Sequence, residues 1–212
     1  MTDIHVEAGK KKAVAWSLEW PGWCRIRKDE PEVVQALIDY EERYRPIAQR
    51  AGLEFAPCDL VVVALLQGDS NTDWGIPAVL APADALPIDT ATAQRNVALL
   101  HAAWDTLEDV VTASPPELRK GPRGGGRDRD DIRRHVIEAE RMYARKIGVR
   151  HPPFEMADLK ALNAMREEIA AVLGKPSTGE PLITGGWNAS YAVRRMAWHV
   201  VDHIWEIEDR RS

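Results

Sequence analysis

Residues 190–210 read SYAVRRMAWHVVDHIWEIEDR, a helical stretch that neither proline nor glycine interrupts. His199 and His203 stand four apart in it, so both imidazoles leave one face about one turn from each other. Working back along the chain, three further helices are predicted. One spans about Met156–Leu173, with Leu159, Leu162, Ile169 and Leu173 turned inward and Gly174 as its stop. Another opens at Asp128 as N-cap, has Asp131 placed against the helix dipole, and runs to Ile147 before Gly148. The third covers about Thr90–Thr112, with Val97, Leu100, Trp104, Leu107 and Val111 on one face, and ends before Pro115-Pro116. Four helices of about 18–23 residues with apolar stripes predict an up-down four-helix bundle over residues 90–212.

Upstream of residue 85 the residue choice changes. Ala13 to Trp20 is rich in aliphatic and aromatic residues and stops at the turn signal Pro21-Gly22. Trp23 to Arg27 continues as an extended segment. Pro31 marks a helix start, Val33, Val34, Leu37, Ile38 and Tyr44 follow at helical spacing, and Gly52 marks the end of that helix. Leu60 to Leu66 is an apolar run suited to a buried strand. The proline-bearing segment APADALPID, residues 81–89, reads as a linker. An α+β module over residues 1–82 is therefore expected ahead of the helices.

Composition narrows the function classes. Of 212 residues, 45% are hydrophobic and 29% charged, ordinary values for a globular chain. A net charge of -5 disfavours a nucleic-acid partner. No apolar run reaches the ~20 residues that span a bilayer, and no apolar signal core follows the early lysines. Cys24 and Cys58 make no disulfide framework, so a cytoplasmic address is expected. Cys24 reads as a small buried residue. The eight tryptophans read mainly as packing residues.

The chemistry-bearing pattern is histidine. His135 falls in the second turn of its helix, where it meets the His199/His203 pair across the bundle. Three neutral imidazoles suit a divalent transition ion such as zinc or nickel, and leave at least one coordination position open. Glu138, Asp202 and Glu206 lie near the three histidines in sequence and can take the second N–H of a ligating ring. Each can equally pair with a neighbouring arginine. Arg123, Arg127, Arg129, Arg133 and Arg134 make a basic run that suits either an anionic substrate or a solvated helix start interleaved with Asp128, Asp130 and Asp131.

GGGRDRDDIRRHVIEAE, residues 124–140, resembles the glycine loop and second helix of DinB-like proteins. Trp198-His199-Val-Val-Asp-His203 resembles that family's last helix. The resemblance spans about residues 90–212 and departs at Arg127, where an aromatic is common. It implies a zinc or nickel site on His135, His199 and His203, a tendency to homodimerise, and membership of a group that includes transferases and isomerases dependent on a low-molecular-weight thiol. The first 60 or so residues, through the pattern VEAGKKKAVAWSLEWPGWCRIRKDEPEVVQALIDYEERY at 6–44, resemble HicB-like antitoxin modules, which implies a fold only. Three functions stay open: a metal-dependent thiol transferase or isomerase, a non-catalytic metal-binding or interaction protein, and a metal-dependent hydrolase with Glu138 as general base.

Overall fold

Strands β1 (Thr2–Ala8), β2 (Ala13–Trp16), β3 (Cys24–Arg27) and β4 (Leu60–Gln67) form one sheet in the order β3-β2-β1-β4. The computed structural model describes residues 1–122 and 124–211. β1 pairs antiparallel with β2, and β2 with β3, whereas β4 joins β1 in parallel, from Thr2 opposite Leu60 to Ala8 opposite Gln67. A parallel partner needs a crossover connection. Helices α1 (Glu30–Asp39) and α2 (Glu41–Arg50) supply it.

Several local expectations shift. β2 stops at Trp16 because residues 17–23 close a turn, with the Ser17 N–H on the Trp23 carbonyl and the Trp23 N–H on the Trp20 carbonyl. Gly22 sits there at φ 96°, and a Cβ on it would lie 2.9 Å from Val201. The single helix expected from Pro31 to Gly52 breaks at Tyr40. Tertiary contacts outweigh helical propensity at that point: the Tyr40 ring packs 4.8 Å from Trp205, and the Tyr44 hydroxyl donates to the Pro21 carbonyl at 2.7 Å. β4 is an edge strand rather than a buried one, with Val63 and Leu65 largely exposed. Helix α3 (Ser70–Trp74) and a 3-10 turn (Pro82–Ala85) lie between the sheet and the long helices.

The long helices are α4 (Thr90–Thr112), α5 (Arg129–Arg145), α6 (Leu159–Leu173) and α7 (Ala189–Arg210). α4 packs on α7, α5 and α6, and α5 packs on α7 and α6. The chain is thus an α+β protein, a small sheet followed by helices. Asp128 stands at the N-cap of α5, but its carboxylate accepts from the Leu118 N–H and Lys120 instead of capping its own helix. One buried carboxylate crosses the helices: Glu140 on α5 accepts from Arg166 of α6 at 3.1 and 3.2 Å and from the Trp104 indole of α4.

α7 positions the site because it is buried on two stripes. Along the first, Trp198 packs with Val14, Trp16 and Cys24, Val201 faces Gly22, and Trp205 faces Tyr40, so this stripe faces the sheet module. Helical spacing puts Arg195, His199 and His203 on a second stripe, turned toward α5. A single apolar cluster runs from Ile4, Val6, Trp23 and Phe55 through Leu99, Leu107 and Ile132 to Val200 and Ile204. α7 therefore has little freedom to rotate, and side chains on its second stripe are held from behind.

Candidate metal centre

The second stripe brings the three predicted histidines together. His135 enters from α5, and its Nε2 lies 3.2 Å from Nε2 of His199. The ring centroids are 5.0 Å apart for His135–His199, 5.0 Å for His135–His203 and 4.7 Å for His199–His203. One ligand atom from each histidine lies within 4.8 Å of the other two. Two nitrogens at about 2.0–2.1 Å from a tetrahedral zinc ion are about 3.3 Å apart. The His135–His199 edge already has about that separation.

Burial sets the protonation of the trio. Burial, then the neighbouring His203 and His135, push His199 well below the ordinary imidazole value. Burial, then His203 and Arg127, lower His135. Both rings are thereby kept neutral, the form that offers a lone pair to a metal. His203 has a partner behind it: its Nδ1 lies 2.7 Å from Glu206 Oε2, which leaves Nε2 for a ligand. Burial alone would raise the Glu206 carboxyl, but the hydrogen bond and charge of His203, with Arg210 at 2.5 Å, hold it below the usual carboxylate range. Such a carboxylate–imidazole pair fixes the tautomer and raises ligand basicity. His199 lacks this support, since its buried Nδ1 has no partner among the described residues.

The other sequence candidates divide. Of the three acids, only Glu206 supports a histidine. Asp202 pairs with Arg25 of β3 at 3.3 Å. Glu138 is exposed, beside Arg134, Ile137, Arg141 and Phe154 on the wall of a groove. It hydrogen-bonds to none of the three imidazoles among the described residues, although its charge favours protonated His135. The basic run is largely consumed locally. Arg129 binds Asp130 and the Ser114 carbonyl, Arg133 binds Glu108 and the Met156 carbonyl, and Arg134 binds Asp131. Arg123 lies outside the described residues. Cys24 is buried, and burial pushes its thiol far up, away from nucleophilic use.

Sequence reasoning gave four side chains at the site no role there. The Tyr143 ring lies 5.7 Å from His199, as does Trp198, and Trp187 packs 5.2 Å from Tyr143. Arg195 sits one turn before His199, and its charge opposes protonation of that ring. Its position four before a ligand on the inward stripe was the available signal.

The depressed histidines make a pH prediction for the metal-free protein. The native state binds fewer protons than the unfolded chain between the lowered values and about 6.5, so stability is lost as pH falls through 6.5. The urea midpoint should fall between about pH 7.5 and about pH 5.5, less so in His199→Ala. Comparison with the variant isolates the histidines from Glu140 and Glu7, whose raised carboxyls act with opposite sign. Equal pH slopes in wild type and variant would remove the buried-neutral assignment.

Comparison of the chain with family models, curated proteins and solved structures finds no match among any of them. No helix of the described residues is long and apolar enough to cross a membrane.

Proposed function

We propose that the protein is a metalloprotein of the DinB-like kind, whose α4, α5, α6 and α7 form an up-down bundle holding a divalent ion on His135, His199 and His203. The carrying observation is the convergence of three imidazoles from two helices, with two Nε2 atoms at 3.2 Å. The donor set favours zinc or nickel over calcium or magnesium. A bound ion of this type lowers the pKa of a thiol or water in its open position. The chain's own residues do the rest. Glu206 fixes the His203 ring, the core of α7 fixes His199, and the Tyr143 and Trp198 rings border His199.

Of the chemistries available to such a site, thiol-dependent transfer or isomerisation is the better supported. A hydrolase needs a base beside the metal-bound water, and Glu138 is exposed with no hydrogen bond to any ligand. A thiol would need only the open position, where a bound ion would favour its thiolate form.

The test is metal content. Protein purified without a polyhistidine tag and reconstituted with zinc or nickel is expected to retain about one ion per chain after gel filtration. Titration with a small thiol by calorimetry should then give saturable binding that the metal-free protein lacks. Retention of no ion overturns the reading. An ion that is retained but ignores thiols leaves a structural or regulatory metal in its place.

A further inference from the structure

α7 carries two consecutive buried arginines, and they are treated differently. Arg194 is paired: it grips Asp84 through Nε at 2.9 Å and Nη2 at 2.6 Å, and Nη2 also donates to the Val79 carbonyl at 2.7 Å. Arg195 is only 8% exposed, yet no carboxylate or hydrogen-bond acceptor reaches it among the described residues, and its buried Nη1 has no partner. Its guanidinium stands 4.5 Å from the Trp198 ring centre and 5.5 Å from that of Tyr143. Those two rings are the ones that border His199, each at 5.7 Å. The free cation and the histidine cluster therefore share two walls.

An arginine cannot shed its proton to escape burial, and a buried charge without a counter-ion is unfavourable. Contact with ring faces compensates part of that, but it offers no acceptor to the N–H groups in the guanidinium plane. Three carboxylates around the site are engaged, and Glu138 lies exposed beside Arg134 and Arg141. Glu206 holds His203 and Arg210, Asp202 holds Arg25, and Asp84 holds Arg194. Arg127 adds further positive charge, felt by both His135 and His199. An anionic ligand would supply the missing counter-charge.

We propose that Arg195 anchors a carboxylate of the small molecule that occupies the open face of the histidine site. The inference rests on the metal reading above and names its substrate class: a low-molecular-weight compound carrying a carboxylate, held beside the ion by one N–H of Arg195. Charge-assisted pairing of this kind is strong and directional, so it selects the carboxylate over a neutral group of equal size.

Matched probes separate the two levels. In zinc-loaded protein, 3-mercaptopropionate offers a thiol and a carboxylate, whereas 3-mercapto-1-propanol offers the thiol alone. Calorimetry on wild type is expected to show a preference of about tenfold or more for the carboxylate. Arg195→Met should abolish that preference while retaining zinc and the neutral thiol. Arg195→Lys, which keeps the charge, should retain part of it, and carries the test if the methionine variant does not fold. Binding of both thiols with equal affinity in wild type overturns the proposal and leaves the metal reading intact. A preference that survives in Arg195→Met also overturns it. Failure of wild type to hold zinc overturns the metal reading and this proposal together.

Discussion

Replacing His199 by alanine is expected to lower zinc or nickel affinity by more than about 100-fold, because even outer-shell partners of a metal ligand are worth about 10–100-fold. His199 would be a central ligand, since its Nε2 forms the 3.2 Å edge with Nε2 of His135. It is also the most deeply buried of the trio in effect, with its protonation strongly opposed. Without it, His135 and His203 remain on separate helices. The apo variant should still fold, because the wild-type ring already leaves Nδ1 unpaired and its loss removes an unsatisfied polar atom along with packing. Glu206→Gln should weaken binding less, by about 10–100-fold, through the His203 ring alone. His151→Ala is the control: that ring lies by Glu168 at 3.2 Å, away from the trio. Competition against a chromophoric chelator gives the three affinities, with circular dichroism to show that each variant is folded. An unchanged affinity in folded His199→Ala would sink the site.

The histidine pattern was legible for a simple reason. Four-residue spacing on an uninterrupted helix is a local property, and α7 (Ala189–Arg210) lies within a residue of where the sequence puts it. α4 runs Thr90–Thr112 as expected, and α6 starts a little late, at Leu159, where Asp158 caps it by accepting from the Ala161 N–H. What stayed hidden depends on distant partners. β1 was missed because His5 and Glu7 look like surface residues. In the fold Glu7 is buried, accepting from the Thr72 hydroxyl at 2.9 Å and the Val79 N–H at 3.1 Å. The break at Tyr40 has no glycine or proline to announce it and follows from Trp205, which is 165 residues downstream. The choice among Glu138, Asp202 and Glu206 was likewise closed to sequence, since Arg25 of β3 decides the fate of Asp202. Arg195 illustrates the same limit from the other side. Its burial was readable from helical phase, while the lack of any counter-ion emerges only when each neighbouring carboxylate has been assigned to another cation.

Arg194→Ala is expected to destabilise the protein by about 3–5 kcal/mol, the cost of leaving a buried partner charge uncompensated. The pair is as enclosed as any among the described residues: the Asp84 side chain is 0% exposed and the Arg194 side chain 4%. Asp84 sits in the 3-10 turn that joins the sheet module to α4, and its second role is to accept from the Ala81 N–H at 2.8 Å. Arg194 also holds the Val79 carbonyl, so one guanidinium fixes both the turn and the segment leading into it against α7. Removing it strands the Asp84 carboxylate in a dry site. The thermal midpoint should fall by roughly 6–20 °C for a chain of this size. Asp84→Asn with Arg194→Met tests the origin of the loss. That pair keeps an acceptor for Ala81 and buries no charge, so it should recover a large part of the stability, as apolar replacements of buried ion pairs often do. Urea unfolding of wild type, Asp84→Asn, Arg194→Met and the double variant closes the cycle, with Arg194→Ala measured beside it. A loss below about 1 kcal/mol for Arg194→Ala would put the pair in the class of surface bridges and show that water reaches Asp84. A double variant no more stable than Arg194→Ala would show instead that the guanidinium contributes through the Val79 carbonyl and its contact with Trp16, 4.5 Å away, more than through charge.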